Sequence, residues 1–256
     1  MSKITEMKAG KMQVKVYEDR KSMGTNVAKD VVQKFSELLK NKSEINVLFA
    51  AAPSQNEFIE ALVADKSVEW DKINAFHLDE YVGLDKDAPQ GFANFLKACI
   101  FDKVPFKSVN TLNGNADSVD EECARYEKLL CDYPIDIACI GIGENGHIAF
   151  NDPHVAFFDD AKLVKIVELD NMCRQQQVND GCFDSIDKVP THAFTLSIPA
   201  ITNSSYIYCM VPSKLKAEAV YNTVKGEIRE RVPASVLRIH PNAILYVDKD
   251  SASKII

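Results

Sequence analysis

The sequence predicts an α/β fold, a Rossmann-like three-layer sandwich with a mostly parallel central sheet. Strand-like and helix-like segments alternate along almost the whole chain, which is the order of β-α-β units. Several strand-like runs are almost continuously apolar, as expected for strands that helices cover on both faces. Polar and glycine-rich residues follow two of these runs, and open α/β sheets bind ligands beyond the carboxyl ends of their strands. We therefore expect one domain over residues 1–256, with its functional site at that edge of the sheet.

The first elements follow from hydrophobic periodicity. Met12–Tyr17 alternates polar and apolar residues as a strand does, and apolar residues then recur at helical spacing from 27 to 39. Ile45–Ala51 is an apolar second strand. A helix then runs to Leu62, with Ser54 as its predicted N-cap because a serine hydroxyl can accept a hydrogen bond from the first turn.

The later elements rest on the same signals. Ser118 opens a helix in capping-box register with Glu121, and Ile135–Ile142 has the apolarity of a strand buried on both faces. The remaining predicted elements are strands at 73–76, 163–167, 193–196, 206–211 and 243–247, and helices at 91–100, 118–130 and 213–224.

Composition narrows the class of protein without naming a function. Hydrophobic residues make up 46% of the chain and charged residues 26%, which excludes disordered and fibrous proteins. The formal net charge of -7 and the lack of a Lys/Arg block disfavour a nucleic-acid partner. The amino terminus lacks the apolar core of a secretory signal, and no run is long enough to span a membrane, so we expect a cytoplasmic protein without a membrane partner.

The seven cysteines are an odd number without CxxC spacing and lie mostly in apolar stretches. We interpret them as reduced core thiols. A nucleophilic cysteine is the weaker alternative, since none stands in a glycine-rich turn beside an acid or a base.

The segment from Ile135 to Pro153, IDIACIGIGENGHIAFNDP, has the layout of a catalytic loop at a strand end. Gly141, Gly143 and Gly146 allow positive φ and close approach of the backbone to a ligand. The polar side chains nearby are those of Glu144, Asn145, His147, Asn151 and Asp152. A purely architectural glycine turn with a structural histidine is the alternative interpretation of this motif on its own.

A second polar strand end favours the functional interpretation. His77, Asp79 and Glu80 follow the third strand, so two histidines and two acids are expected to meet at one sheet edge. Such a cluster can supply a general base and a general acid. The alternative makes Asp79 or Glu80 a helix cap or a surface acid. The stretch 151–160 is a candidate mobile loop over the site, although its two phenylalanines could equally pack in the core.

Four segments carry a resemblance to a known family. HLDEYVGL at 77–84, NTLNGN at 110–115, GIGENGHIAFNDP at 141–153 and the Lys-Ala pair at 216–217 resemble glucosamine-6-phosphate deaminases. These enzymes lie within a superfamily that also contains the 6-phosphogluconolactonases. The resemblance runs from about Val14 to Asp248. It implies a cofactor-free conversion of an amino-sugar phosphate, most directly glucosamine 6-phosphate, to fructose 6-phosphate and ammonia through an enediol.

The resemblance also implies roles for individual residues. Asp79 matches the carboxylate that moves a proton between C2 and C1 of the opened sugar, and His147 matches the histidine that assists ring opening. Asp152 stands where the family usually has the glutamate that orients this histidine, and Asn145 stands where the family has aspartate or asparagine. These four are the predicted catalytic residues. The predicted substrate-binding residues are Ser54, Glu80, Gly143, Gly146, Arg174 and Lys216, with Lys216 contacting the phosphate.

Two departures from the family pattern concern the phosphate. The glycine- and threonine-rich turn after the second strand is replaced by Ala51–Glu57, AAPSQNE, in which Glu57 adds negative charge where a phosphate would lie. A further family arginine is replaced within Asn179–Cys182, NDGC. Arg174 supplies a substitute charge or forms a surface salt bridge, and these two alternatives stay open.

Two other functions remain as alternatives to the deaminase. One is a sugar-lactone hydrolase of the related branch, in which His147 would activate water. The other is a catalytically weakened member that binds a sugar as a regulator, which the altered loop at 51–57 motivates. Neither a metal site nor a dinucleotide site is predicted, because the histidine spacing and the context of GIGENG fit neither. The expected partner is a small sugar phosphate, and homo-oligomerisation is left open.

Overall fold

A computed structural model describes residues 3–256 and contains eleven strands and seven α-helices within that range. The strands are β1 Lys3–Ala9, β2 Met12–Tyr17, β3 Ile45–Phe49, β4 Ile73–His77, β5 Asp79–Tyr81, β6 Ser108–Asn110, β7 Ile137–Ile140, β8 Val164–Glu168, β9 His192–Leu196, β10 Tyr206–Val211 and β11 Ala243–Asp248. The helices are α1 Arg20–Leu39, α2 Asn56–Ala64, α3 Phe92–Leu96, α4 Val119–Asp132, α5 Asn171–Asn179, α6 Ile198–Thr202 and α7 Ala217–Lys225.

Eight strands form the central sheet, in the order β1-β2-β11-β10-β7-β3-β4-β6. The β1–β2 pair is antiparallel, and the other neighbours pair in parallel. From the neighbours β3 and β7, the chain builds outward in opposite directions, to β4 and β6 on one side and to β10 and β11 on the other. Such a switch in strand order opens a crevice at the carboxyl ends of the two strands.

Helices cover both faces of this sheet, so the predicted α/β sandwich is confirmed. On one face, α1 and α2 bury residues such as Val27 and Phe58 against Val47 of β3. On the other face, α4 and α7 contribute residues such as Tyr126 and Val220 to a second apolar cluster. Burial on both faces explains why β3, β4 and β7 read as continuous apolar runs.

A second, three-stranded sheet is the main difference from the predicted arrangement. Its order is β5-β9-β8, and both pairs are antiparallel. The predicted strands at 163–167 and 193–196 do not join the parallel sheet; they correspond to β8 and β9, which pair with each other, and β9 also pairs with β5. The chain reaches β5 directly from β4 through Leu78, whose carbonyl accepts a hydrogen bond from the Leu196 amide at 2.9 Å.

Most predicted helices and strands are present, and one of the two predicted N-caps is correct. Ser118 is the N-cap of α4, since its hydroxyl accepts a hydrogen bond from the Glu121 amide at 3.3 Å. The prediction for Ser54 is wrong, because it lies inside a 3₁₀ turn at Pro53–Gln55 that precedes α2 without a side-chain cap. Sequence analysis missed the short or polar elements β1, β5, β6, α5 and α6.

All seven cysteines lie within the described residues and carry free thiols. The prediction that they lie in the core is correct for Cys139, Cys173 and Cys209 and wrong for the exposed Cys131. Across residues 3–256, none of the helices combines the length and the apolar composition that a membrane crossing requires.

Candidate active site

A cavity of about 150 Å³ opens at the crevice between β3 and β7. Its walls come from the segments that follow β3, β4, β7 and β10, and from one side of α5. Five of the ten residues predicted for the site line this cavity, namely Ser54, Asp79, Gly143, His147 and Lys216. Two separated parts of the chain, around Asp79 and around His147, therefore meet as the sequence indicated.

The Asp79 side chain is held at the cavity by the small antiparallel sheet. Asp79 opens β5 and lies opposite Thr195 of β9. Only 7% of its surface is exposed. Burial, with a smaller contribution from the neighbouring Glu80 charge, raises the pKa of the Asp79 carboxyl well above its usual value of 3.8. A carboxylate with a raised pKa is a stronger base, which suits proton abstraction from carbon.

His147 is backed by a buried carboxylate. Its Nδ1 lies 3.1 Å from Oδ1 of Asp152, a residue with no exposed surface. Burial alone would raise the pKa of the Asp152 carboxyl, but the contacts with His147, Asn145 and the Asp170 amide outweigh it and lower the pKa below 3.8. Asp152 is therefore an ionised group beside the imidazole, and within residues 3–256 the buried Nδ1 lies close to it without forming a hydrogen bond of good geometry.

Asn145 connects the loop to this carboxylate without reaching the cavity. Its Nδ2 donates to Asp152 Oδ1 at 2.9 Å and to Asp170 Oδ2 at 3.2 Å. Its Oδ1 accepts a hydrogen bond from the His147 amide at 3.0 Å. The asparagine thus fixes both the backbone of His147 and the acid behind its ring, which is a positioning role.

Gly143 and Gly146, the two glycines predicted for the site, have different structural roles. A Cβ built on Gly143 would lie 2.1 Å from Cε1 and Nε2 of His147, so the ring packs directly on the glycine backbone. Gly146 does not line the cavity, and its φ of +87° serves the turn that returns the chain to His147.

Cys173 of α5 lies beside the same acid. Its Sγ, the Asp152 carboxylate and a His147 ring nitrogen all lie within 4.8 Å of one another and are atom types that bind metal ions. Burial, followed by the charges of Asp152 and Asp170, raises the pKa of the Cys173 thiol well above 9.0. A metal ligand needs the thiolate, so this group fits a buried neutral thiol better than a metal site. Cys173 lies on α5 and not in a glycine-rich turn, so its place beside Asp152 follows from the packing of this helix and could not be seen in the sequence.

Lys216 is a buried cation at the cavity wall, with 7% of its surface exposed. Burial lowers the pKa of its ammonium group, against the opposite effect of the Asp180 and Glu144 charges. Within the described part of the chain, the ammonium makes no hydrogen bond and no ion pair. The preceding Ser213 has a φ of +90° and donates its amide to Asp248, which fixes the turn that carries the lysine.

Three residues that the sequence placed at the site lie elsewhere. The Glu80 carboxylate accepts hydrogen bonds from the amides of Tyr81, Phe92 and Ala93 and so caps α3, the alternative left open above. The Arg174 guanidinium donates to the carbonyls of Ile186 and Val189 at 2.7 and 3.0 Å. It therefore supplies neither a charge at the cavity nor a surface salt bridge, the two predicted alternatives. His77 is fully buried, accepts a hydrogen bond from the Leu112 amide, and has a pKa lowered to about 3 by burial.

Four cavity residues were missed from the sequence: Arg20, Gln176, Gln177 and Asp180. Arg20 begins α1, and its Nε donates to Glu57 Oε1 at 2.6 Å. The expected free negative charge of Glu57 is therefore offset by an arginine. The other three lie on or next to α5, whose run of polar residues has no helical hydrophobic pattern that could have revealed it.

The stretch 151–160 does not cover the site. Asn151 and Asp152 have no exposed surface, and the Phe158 amide donates to Glu230 at 2.9 Å. None of the residues 151–160 lines the cavity described above. The packed alternative holds for one of its two phenylalanines, since Phe158 is partly buried against the core whereas Phe157 is 49% exposed.

Comparison with known proteins gives one consistent family. The sequence profile of the family described as glucosamine-6-phosphate isomerases/6-phosphogluconolactonase matches residues 18–245. A glucosamine-6-phosphate deaminase of Listeria innocua is 34% identical over 235 residues, which cover 92% of this chain and 97% of that protein. A glucosamine-6-phosphate deaminase of Streptococcus sanguinis is 35% identical over 80% of this chain and 84% of its own.

Solved structures agree with these sequence relatives. A monomeric glucosamine-6-phosphate deaminase superposes with a TM-score of 0.86 at 30% identity and covers 96% of this chain and 99% of its own. The 6-phosphogluconolactonase of Thermotoga maritima superposes with a TM-score of 0.75 at 22% identity, covering 92% of this chain and 99% of its own. At that identity, the second similarity describes the fold.

Proposed function

The chain belongs to the family of glucosamine-6-phosphate isomerases and 6-phosphogluconolactonases, and from this membership we propose that it is an amino-sugar deaminase and isomerase. The reaction takes an aldose with an amino group on C2, of which glucosamine 6-phosphate is the example named for its relatives. With one molecule of water it forms the corresponding ketose, fructose 6-phosphate in that example, and one molecule of ammonia.

The chemical steps divide between the two catalytic residues. His147 exchanges a proton with the ring oxygen, which opens the sugar to the aldehyde. Asp79 then removes the C2 proton, and the electrons of that C–H bond form an enediol-type intermediate with the C1 oxygen protonated. Return of the proton to C1 leaves an imine at C2. Water adds to this imine, and the C–N bond breaks to release ammonia and leave the ketone.

The observation that carries this proposal is the common cavity of Asp79 and His147. A buried carboxyl with a raised pKa and an imidazole held by an ionised acid face one small space. The two groups thus differ in the environment that sets their protonation, as an acid and a base working in one reaction require. An acid in the place of Asp79 has no necessary part in lactone hydrolysis, so the deaminase is favoured over the hydrolase.

The direct test follows ammonia and ketose from glucosamine and glucosamine 6-phosphate, together with exchange of the C2 proton in D₂O. We expect both products in equal amounts, and loss of both products and of proton exchange in Asp79→Asn. Asp160→Asn is the matched control, since it removes an acid that pairs with Lys165 away from the cavity. Hydrolysis of 6-phosphogluconolactone that persists in Asp79→Asn, without any ammonia release, would contradict the proposal.

We place this activity in the cytoplasm. An odd number of cysteines, seven, supports a reducing compartment, because such a set cannot pair completely within the chain. A small carbohydrate is the proposed partner.

A further inference from the structure

Arg20 lines the cavity of the catalytic pair, although it lies outside the four segments that carry the family resemblance. It is the first residue of α1. Its Nε donates to Glu57 Oε1 at 2.6 Å, and its Nη2 donates to the Pro53 carbonyl. Its Nη1 makes no hydrogen bond within residues 3–256. The guanidinium is therefore held along one edge, and N–H donors at its other edge remain free for a ligand.

Close packing of α1 against α2 sets this position. Gly24 lies one turn after Arg20, and a Cβ built on it would come within 2.7 Å of the Glu57 Cβ and 2.8 Å of the Glu57 carbonyl carbon. A side chain at residue 24 would push the two helices apart, so the glycine permits the contact of Arg20 with Glu57. Glu57 itself does not line the cavity. Its carboxylate thus orients the guanidinium without forming part of the cavity wall.

Lys216 is a second cation of the same cavity. Its buried ammonium has neither a hydrogen bond nor an ion pair in the described part of the chain, which is unfavourable unless an anionic ligand joins it. One ammonium balances only part of a dianion, and the Asp180 carboxylate at the same cavity already acts on its charge. A phosphate dianion therefore needs a further cation, which Arg20 supplies.

Ser54 adds a neutral donor next to this arginine. Its Oγ accepts a hydrogen bond from Gln55 Nε2 at 3.1 Å, which leaves the hydroxyl hydrogen free to donate into the cavity. The carbonyl that Arg20 binds belongs to Pro53, the residue directly before the serine. The guanidinium and the hydroxyl consequently lie at the same part of the wall.

We propose that Arg20 is a specificity-determining residue for the phosphate ester of the substrate, which it binds together with Ser54 and Lys216. This inference rests on the proposed deaminase function. The free end of the planar guanidinium presents paired N–H donors to two phosphate oxygens, an arrangement that a lysine does not reproduce. A cation from α1 thereby compensates for the altered turn at 51–57 and for the arginine missing from Asn179–Cys182.

The test measures kcat and KM for ammonia release from glucosamine 6-phosphate, and the inhibition constant Ki of inorganic phosphate as a competitive inhibitor. We expect Arg20→Met to raise both KM and Ki by about tenfold to a hundredfold, the scale of lost charge-assisted hydrogen bonds. The value of kcat should change much less, because the arginine does not contact the reacting atoms. Arg20→Lys keeps the charge without the planar fork and should give intermediate values of KM and Ki.

Lys21→Met is the matched control, because this exposed lysine follows Arg20 on α1 and lies outside the cavity. It should change neither KM nor Ki. Native values of both constants in Arg20→Met overturn the proposal. If that variant does not fold, Arg20→Lys decides, and native values of both constants in it overturn the proposal equally.

A native chain that releases no ammonia overturns the proposed function instead. Calorimetry with inorganic phosphate then decides the role of Arg20 without any turnover. Weaker phosphate binding in Arg20→Met than in the native chain and in Lys21→Met supports the role, and equal binding in all three overturns it.

Discussion

The His147 ring rests directly on the backbone of Gly143. A Cβ at residue 143 would come within 2.1 Å of two ring atoms, and the Gly143 amide also donates to the His147 carbonyl at 2.9 Å. The position of the imidazole is therefore fixed from one side by the Gly143 backbone and from the other by Asp152.

Gly143→Ala tests this contact. The added methyl group forces the ring away from Asp152, and we expect kcat to fall by about a hundredfold, the scale of a lost general acid or base. Steady-state ammonia release measures it. Gly83→Ala is the control, since Gly83 has a positive φ but a Cβ there meets no atom within 4 Å. Normal kcat in Gly143→Ala would contradict the contact.

Asp79→Asn should stabilise the protein at neutral pH while abolishing activity. The folded pKa of Asp79 is raised above 3.8, so the native state binds a proton that the unfolded state has released. The free energy of unfolding therefore decreases as pH rises from the unfolded to the folded pKa, by at most about 1.4 kcal/mol per pH unit. The asparagine variant lacks this decrease.

Urea denaturation at about pH 4.5 and about pH 7.5 measures this difference. We expect the stability gain of Asp79→Asn over the native chain to be larger at the higher pH. A variant less stable than the native chain at both values would show that the ionised carboxylate has a stabilising partner.

Asp152→Asn should impair catalysis through the histidine. The substitution removes the ionised oxygen beside Nδ1 while keeping an acceptor of the same size, and we expect kcat to fall roughly tenfold to a hundredfold. KM should change less than kcat, because Asp152 does not line the cavity. Steady-state ammonia release measures both constants, and a native kcat in the Asp152→Asn variant would contradict the positioning role of this acid.

Arg174→Met should weaken the fold and leave substrate binding alone. It removes the donor to the carbonyls of Ile186 and Val189. The Ile186 carbonyl keeps its hydrogen bond from the Val189 amide, so the main cost is that of leaving the Val189 carbonyl unpaired, roughly 2 kcal/mol of unfolding free energy. Arg231→Met, at an exposed position, is the control for loss of charge. A raised KM with unchanged stability would show instead that Arg174 contributes to substrate binding.

The sequence predicted the parallel strands well because burial on both faces leaves a visible pattern. β3, β4 and β7 are largely buried, and each was assigned from its apolar residues. β5 carries Asp79 and Glu80 in a buried strand, a composition that reads as a loop. Its partner β9 lies far along the chain, and no local pattern encodes that pairing.

The site was predictable where a motif fixes the local backbone, as around His147. It was not predictable where a polar side chain finds its partner in another segment. Glu80 next to Asp79 looked equally catalytic, yet its carboxylate caps α3. Gln177 and Asp180 reach the cavity only because α5 packs beside it.

The pairing of Asp79 with Thr195 has a consequence for synthesis of the protein. While the chain emerges from the ribosome, β3, β4 and β7 can associate before β9 exists, so the main sheet can begin to form with Asp79 still unanchored. A nascent chain that already contains both Asp79 and His147 therefore lacks a fixed base until the Thr195 region is released. Fragments truncated before β9 are expected to be inert even where they are compact.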